Sequence, residues 1–217
     1  MTEELDFDAL YRGKPIVPGG EYTGVPWDIG SAQPNVVALE REGRFTGDVL
    51  DIGCGLGGNA LHLARLGHRV TGLDASPAAI KQAIERAGDV PVTFAVADAT
   101  TLTGYSSAFD SVLDSALFHC LSPAEQRLYA SALHRATRPG ARLSLLCFRA
   151  PTPGELPTPL PVPEEDLRTA LTDAGWTITS LERGSLSSLR SAMGDNSAGA
   201  SPFAQLPIWI VLADRRE

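Results

Sequence analysis

The run Val49-Leu50-Asp51-Ile52-Gly53-Cys54-Gly55-Leu56-Gly57-Gly58-Asn59-Ala60 joins an apolar stretch to a glycine-rich turn and then to a helix-forming stretch. Glycines in such a turn adopt positive φ and let the main chain come close to a small organic ligand at the end of a sheet. Asp51, two residues before the first glycine, sets a carboxylate at the strand's end, where a positively charged ligand group could sit. Gly53, Gly55 and Gly58 fit the G-x-G-x-x-G spacing, which alone is weak support for a dinucleotide. Asp74 closes a second apolar stretch, Val70-Thr71-Gly72-Leu73, and there it could accept hydrogen bonds from a ribose diol. Asp74 fits any nucleoside, so the choice rests on Asp51. That carboxylate would repel a pyrophosphate at this turn and attract a ligand with an ammonium or sulfonium and no phosphate.

The elements that must position these groups follow from pattern. Strands are expected near 48–52, 69–73, 92–97, 109–114, 142–148, 176–182 and 207–213. Helices are expected near 35–43, 58–66, 76–87, 123–137 and 164–174. Ser76-Pro77 and Ser122-Pro123, the latter with Glu125, are N-caps followed by proline at the first helical position. Arg138-Pro139-Gly140 ends a helix before a new strand. Alternating strand and helix imply a doubly wound α/β sheet with helices on both faces, and a final pair without a crossover helix makes the last strand antiparallel. Residues 150–163 are proline-rich and read as a stiff loop over the sheet's end. Residues 184–202, rich in Gly, Ser and Ala, read as a mobile loop between the last two strands. The whole of 1–217 is expected to be one domain: an N-terminal cap over 1–34, a cofactor-binding core over 35–149 and a part completing the sheet over 150–217.

A chain of 217 residues can bury a full core for one such domain. Net charge of −8 and an isoelectric point near 5.0 argue against nucleic acid or an anionic membrane as partner. Cys54, Cys120 and Cys147 form no C-x-x-C pair, which reads as reduced thiols in a cytoplasmic protein. The acidic start lacks a signal peptide's apolar core, and no apolar run reaches the roughly 20 residues that span a bilayer. No zinc spacing or other metal site is apparent, and a monomer is expected.

Four motifs in order, Val49-Leu50-Asp51-Ile52-Gly53-Cys54-Gly55, Val70-Thr71-Gly72-Leu73-Asp74, Ala97-Asp98-Ala99 and Phe109-Asp110-Ser111-Val112-Leu113-Asp114, resemble the class I S-adenosylmethionine-dependent methyltransferases. The match runs from about 48 to 148. Gly24-Val25-Pro26-Trp27-Asp28-Ile29-Gly30-Ser31-Ala32-Gln33-Pro34 and Asp114-Ser115-Ala116-Leu117-Phe118-His119-Cys120 resemble the small bacterial branch related to thiopurine and tellurite-resistance methyltransferases. Within it they are most similar to mycobacterial-type enzymes that methylate quinones and heterocycles. That group carries a basic pair in the loop after the fifth strand, whereas here no Arg or Lys stands between Arg149 and Arg168. A substrate preference built on that pair does not carry over.

The resemblance implies a Rossmann-like seven-stranded sheet, with S-adenosylmethionine as cofactor and S-adenosylhomocysteine as product. Asp51 would pair with the methionyl ammonium, and Gly53, Gly55 and Gly57 would give room to the methionine portion. Asp74, followed by Ala75, would take the ribose hydroxyls. Asp98 and the backbone N–H of Ala99 would meet the adenine. Asp114 and Ser115 would line the methionine and the methyl. The chemistry expected is an in-line displacement by N, O or S of a small, flat acceptor.

Other residues carry two readings each. Trp27 is either an aromatic lid over a sulfonium or an anchor for the N-terminal segment. Tyr11 and Tyr22 wall the acceptor pocket or pack, and Asp28, Gln33 and Phe118 join that pocket. His119 is either the general base that deprotonates the acceptor or a hydrogen-bonded structural imidazole. Two other classes stay open: a nicotinamide-linked oxidoreductase, which leaves Asp51 and Asp98 unexplained, and a binding module that turns over nothing.

Overall fold

In the computed structural model, residues 6–15, 24–195 and 200–216 are described. Tyr22 lies outside them. The elements in order are α1 (Phe7–Tyr11), α2 (Pro34–Arg41), β1 (Asp48–Ile52), α3 (Gly58–Arg65), β2 (Arg69–Asp74), α4 (Pro77–Ala87), β3 (Val92–Val96), β4 (Phe109–Ser115), α5 (Pro123–Ala136), β5 (Thr137–Phe148), α6 (Glu164–Asp173), β6 (Trp176–Leu189) and β7 (Phe203–Arg215). One sheet runs β3-β2-β1-β4-β5-β7-β6. Its first five strands are parallel, and β7 is antiparallel to both β5 and β6. This is the doubly wound arrangement the sequence pattern implies.

Period-two alternation divides the core between the two faces of the sheet. Leu50, Ile52, Val112, Leu143 and Leu145 pack with Tyr129, Leu133, Leu167 and Leu171 of α5 and α6. Val49, Val70, Leu113 and Leu146 pack with Val36, Leu39 and Leu63 of α2 and α3. Each fully buried leucine stabilises by about 1.5–3 kcal/mol, so these two layers supply the bulk of the driving force. The helices begin at the expected caps. Ser76 Oγ accepts from Ala79 N at 3.0 Å, and Ser122 and Glu125 form a reciprocal capping box.

The last hairpin differs from expectation. The strands expected at 176–182 and 207–213 are far longer, and Leu189 pairs with Phe203. Residues 184–189 of the segment read as a mobile loop are therefore strand. The cause is a partner from the other end of the chain. Gln33 Nε2 donates to Ser187 O at 2.9 Å, and Ser187 N donates to Gln33 Oε1 at 3.2 Å. Leu189 N donates to Pro26 O at 2.7 Å, and Asn35 Nδ2 to Ser185 O at 2.7 Å. The N-terminal segment thus covers the outer edge of β6, which would otherwise present unpaired backbone groups. Among the described residues no helix is long and apolar enough to cross a membrane.

Candidate active site

The carboxyl ends of β1, β2 and β4 meet at one edge of the sheet. Ile52 pairs with Leu73 on one side and Asp114 on the other. The glycine turn follows β1, with Gly53, Gly55 and Gly57 at φ of +70°, +52° and +79°. L side chains are strained there, which explains the glycines. Gly53 N and Cys54 N both donate to Leu73 O, at 2.7 and 3.0 Å, so the turn is tied to β2.

Protein fills the space these glycines spare. A side chain on Gly53 would begin 2.8 Å from Leu117 Cβ, and one on Gly57 would begin 2.7 Å from the tip of the Phe94 ring. On Gly55 it would begin 2.9 Å from Tyr11 Oη and 3.6 Å from Trp27 Nε1. Only Gly55 therefore faces the aromatic cap, and Gly57 makes room for Phe94 rather than for a ligand.

Asp51 is buried at the first turn of α3, where it accepts from Ala60 N. Its Oδ2 is buried without a partner. Burial first, then the Asp114 and Asp74 charges, push its carboxyl up to about 7. A buried carboxylate with a free oxygen is what a cationic ligand group would satisfy. Asp74 accepts from Gly55 N and Ser76 N, both at 2.8 Å, and stays partly exposed. Ala75 is exposed beside it. Asp98, at the exit of β3, is exposed and accepts from Thr100 N at 2.8 Å, with Ala99 partly buried next to it. These groups share one edge and would hold the ammonium, ribose and adenine of S-adenosylmethionine respectively.

The N-terminal segment closes this edge. Asp8 on α1 accepts from Ser76 Oγ at 2.5 Å and from Ala78 N at 3.1 Å, at the start of α4. Trp27 Nε1 donates to Tyr11 Oη at 3.0 Å, and the Phe7 and Trp27 rings lie 5.9 Å apart. A cleft beside the glycine turn is lined by Trp27, Asp28, Ser31, Gln33, Ser115 and Leu186, with Gly53, Cys54 and Asn59.

Several residues expected in the pocket have other work. Both Asp28 oxygens take the Arg86 guanidinium, at 3.0 and 2.8 Å. Gln33 lines the cleft, but both ends of its amide hold Ser187. Phe118 is 0% exposed in the core, 6.0 Å from the Tyr129 ring. Asp114 is 0% exposed, with both oxygens hydrogen-bonded to protein. His119 is buried in a 3-10 turn, Phe118–Cys120, and stacks on Phe148 at 4.1 Å. Phe148 N donates to its Nδ1 at 3.3 Å, which leaves the proton of the neutral ring on Nε2. Burial pushes this imidazole down to about 3. It therefore presents an N–H donor and not a base.

Sequence reasoning missed Tyr129, whose Oη donates to Asp114 Oδ2 at 2.7 Å. The signal was a phenol on the apolar face of α5, which must find an acceptor once buried. It also missed the clip between Arg149, at the end of β5, and Glu155. The Arg149 guanidinium meets Glu155 Oε1 and Oε2 at 2.5 and 2.8 Å, its side chain only 5% exposed.

A family model described as a methyltransferase domain matches residues 49–140. The 2-heptyl-1-hydroxyquinolin-4(1H)-one methyltransferase of Mycobacteroides abscessus is 38% identical over 212 residues, spanning 94% of this chain and 91% of its own. A chain solved in work on the conversion of a disulfide bond into a thioacetal group during echinomycin biosynthesis is 38% identical. It superposes with a TM-score of 0.82 over 97% of this chain and 91% of that one. At fold level, the 1,6-didemethyltoxoflavin-N1-methyltransferase of Burkholderia thailandensis, solved with S-adenosylhomocysteine, superposes with a TM-score of 0.62 at 23% identity, over 85% of this chain and 77% of that one. The chain belongs to the methyltransferases. Fold, site and relatives together make it an S-adenosylmethionine-dependent enzyme.

Proposed function

We propose that this enzyme methylates N or O of a small, flat heteroaromatic acceptor of the hydroxyquinolone kind. The observation that carries this is the 38% identity to the hydroxyquinolinone methyltransferase across 94% of the chain, which takes in the N-terminal segment and long hairpin that frame the cleft. The lining agrees. Among the described residues that line it Asp28 is the one charged group, and Arg86 neutralises that charge. An uncharged aromatic ring meets no unpaired charge there and has Trp27 and Leu186 to pack on. An acidic chain with three free cysteines fits a cytoplasmic monomer working as one domain.

When bound, S-adenosylmethionine supplies a methyl group already activated by a sulfonium. The protein's own part is binding, alignment and exclusion of water. Asp51 would hold the ammonium, Asp74 and Ala75 the ribose, and Asp98 and Ala99 the adenine. Gly55 makes room for the Tyr11 and Trp27 cap, Trp27 would shield the cofactor, and Ser115 would line its reacting end. His119 would donate Nε2–H to an oxo or oxide group of the acceptor, drawing charge away from the ring.

A sulfur acceptor is the second reading. It is favoured by the equal 38% identity to the chain from the disulfide-to-thioacetal work.

Calorimetric titration with S-adenosylmethionine and S-adenosylhomocysteine, on wild type and Asp74→Ala, tests the cofactor site. Losing two hydrogen bonds to a charged group should weaken binding about 10- to 100-fold. Mass spectrometry of reactions with 2-heptyl-1-hydroxyquinolin-4(1H)-one and with a thiol panel then separates the readings. Transfer to sulfur alone would overturn the first.

A further inference from the structure

The strongest unassigned arrangement lies just past β4. Asp114 alternates with Leu113 along the strand, so its carboxylate sits on the α5 face, opposite to Asp51. Oδ2 accepts from Tyr129 Oη at 2.7 Å. Oδ1 accepts from Leu117 N at 2.8 Å and Phe118 N at 3.4 Å. Three donors converge on this carboxylate, both oxygens have partners within the protein, and the residue is fully buried away from any ligand.

Between Asp114 and those amides stands Ala116 at φ +81°. An alanine in the left-handed region persists only where its surroundings hold it there, and such strain gathers at functional sites. Ala116 N still donates to Leu146 O at 2.9 Å, one residue past the strand's end. The chain reverses at that point and returns over Asp114. The reversal is built against the cleft. Ser115 lines it, and Leu117 fills the space spared by Gly53. Two residues further on, the same turn carries His119 to its stack on Phe148.

We propose that Asp114 is a positioning residue for methyl transfer: through Tyr129 and the Leu117 and Phe118 amides it holds Ala116 left-handed, and so fixes Ser115 in the cleft wall and His119 in its stack on Phe148, without touching the cofactor. The assignment rests on this cleft being where transfer occurs. Misplacement of a reacting group by about 1 Å can cost on the order of 100-fold, so a rack of this kind acts on kcat more than on cofactor affinity.

The test combines kinetics on 2-heptyl-1-hydroxyquinolin-4(1H)-one, calorimetry with S-adenosylmethionine and thermal melts. Asp114→Ala should lower kcat by about 10- to 100-fold with cofactor Kd within about threefold of wild type. Asp114→Asn keeps an acceptor for the two amides but carries no charge, so it should recover most of that loss with Kd unmoved. Ala116→Gly, placed in the Asp114→Ala background, should raise kcat again, since glycine takes this conformation freely. A tenfold or greater rise in cofactor Kd for Asp114→Asn would show that the charge acts on the cofactor and would overturn the assignment. Equal kcat loss in the Asn and Ala variants, or no gain from glycine, would do the same. If Asp114→Ala gives no cooperative melt, Tyr129→Phe takes its place. It should lower kcat at constant Kd, and an unchanged kcat would count against the rack. Failure of wild type to methylate this acceptor would instead overturn the acceptor reading, and the variants would then be assayed on the acceptor found.

Discussion

Gln33 and Ser187, 154 residues apart, exchange two hydrogen bonds at the edge of the sheet. The amide of Gln33 takes the place of a neighbouring strand. It binds both the N–H and the C=O of one residue, as a sheet ladder would. Gln33 N in turn donates to Asn59 Oδ1 at 2.9 Å, so the same residue links the hairpin to the first turn of α3 beside the glycine turn.

Replacing Gln33 by Ala should therefore destabilise the protein, because both backbone groups of buried Ser187 lose their partners. An unmet buried group costs about 1–3 kcal/mol, equivalent to roughly 2–12 °C in Tm for a chain of this size. Thermal melts check the magnitude. Hydrogen exchange should quicken in 24–35 and 185–189 together, and quickening in only one of them would contradict the coupling.

Asp51 makes cofactor binding depend on pH. Its raised folded value of about 7 means the native protein holds a proton that the unfolded chain has already lost. The stability this contributes is full below the unfolded value of roughly 3.9 and is lost as pH rises through about 7. An ammonium ligand favours the ionised form, so binding must expel that proton at lower pH. Affinity for S-adenosylmethionine should fall by up to about tenfold per pH unit below 7. Calorimetry in buffers of different ionisation enthalpy should register the released proton. Asp51→Asn should bind weakly at pH 8 and show little of this slope.

The parallel half of the fold was readable because its signals are local. β1 covers the 48–52 expected from its apolar residues, and Ser76 and Ser122 cap α4 and α5. The antiparallel hairpin was readable but its length was not, because Gly184, Ser185, Ser187 and Ser188 carry no strand signal of their own. Ser187 and Ser188 are buried by Gln33 and Pro26, which lie at the far end of the sequence. The site divides in the same way. Asp51, Asp74 and Asp98 could be placed from strand ends alone. The commitments of Asp28 to Arg86, Asp114 to Tyr129 and His119 to Phe148 depend on long-range packing.

Glu155 anchors the proline-rich loop. The hydrogen bond from Arg149 first, then those from Thr152, hold its carboxyl down at about 2. A lowered folded value gives stability that is present above the unfolded range near 4.3 and is lost as pH falls towards 2. Glu155→Gln leaves the buried Arg149 guanidinium facing a neutral group and should speed proteolysis between 150 and 163. Adding Arg149→Met should slow cleavage again, because no unpaired charge then remains. If the double variant is cleaved as fast as Glu155→Gln, the clip does not anchor the loop.

His119 yields the clearest test of how the acceptor loses its proton. Burial lowers its folded value to about 3, so it is neutral across the physiological range. The native state then binds fewer protons than the unfolded chain between about 3 and roughly 6.5, and this group's contribution to stability is lost as pH falls through that window. With an acceptor that stays protonated in solution from pH 6 to 8, so that its proton must be removed during transfer, kcat/KM should show no inflection near 6.5 from this residue. The hydrogen bond the neutral ring accepts and the N–H it would offer the acceptor can be imitated by glutamine, whose oxygen accepts from Phe148 N while its NH2 donates. His119→Gln should therefore stay within about tenfold of wild type, and His119→Ala should fall further, by about 10- to 100-fold. A base would behave differently. Glutamine cannot remove a proton, so His119→Gln would lose as much as His119→Ala, and wild type would show an acid limb. That pattern would restore His119 as the proton acceptor.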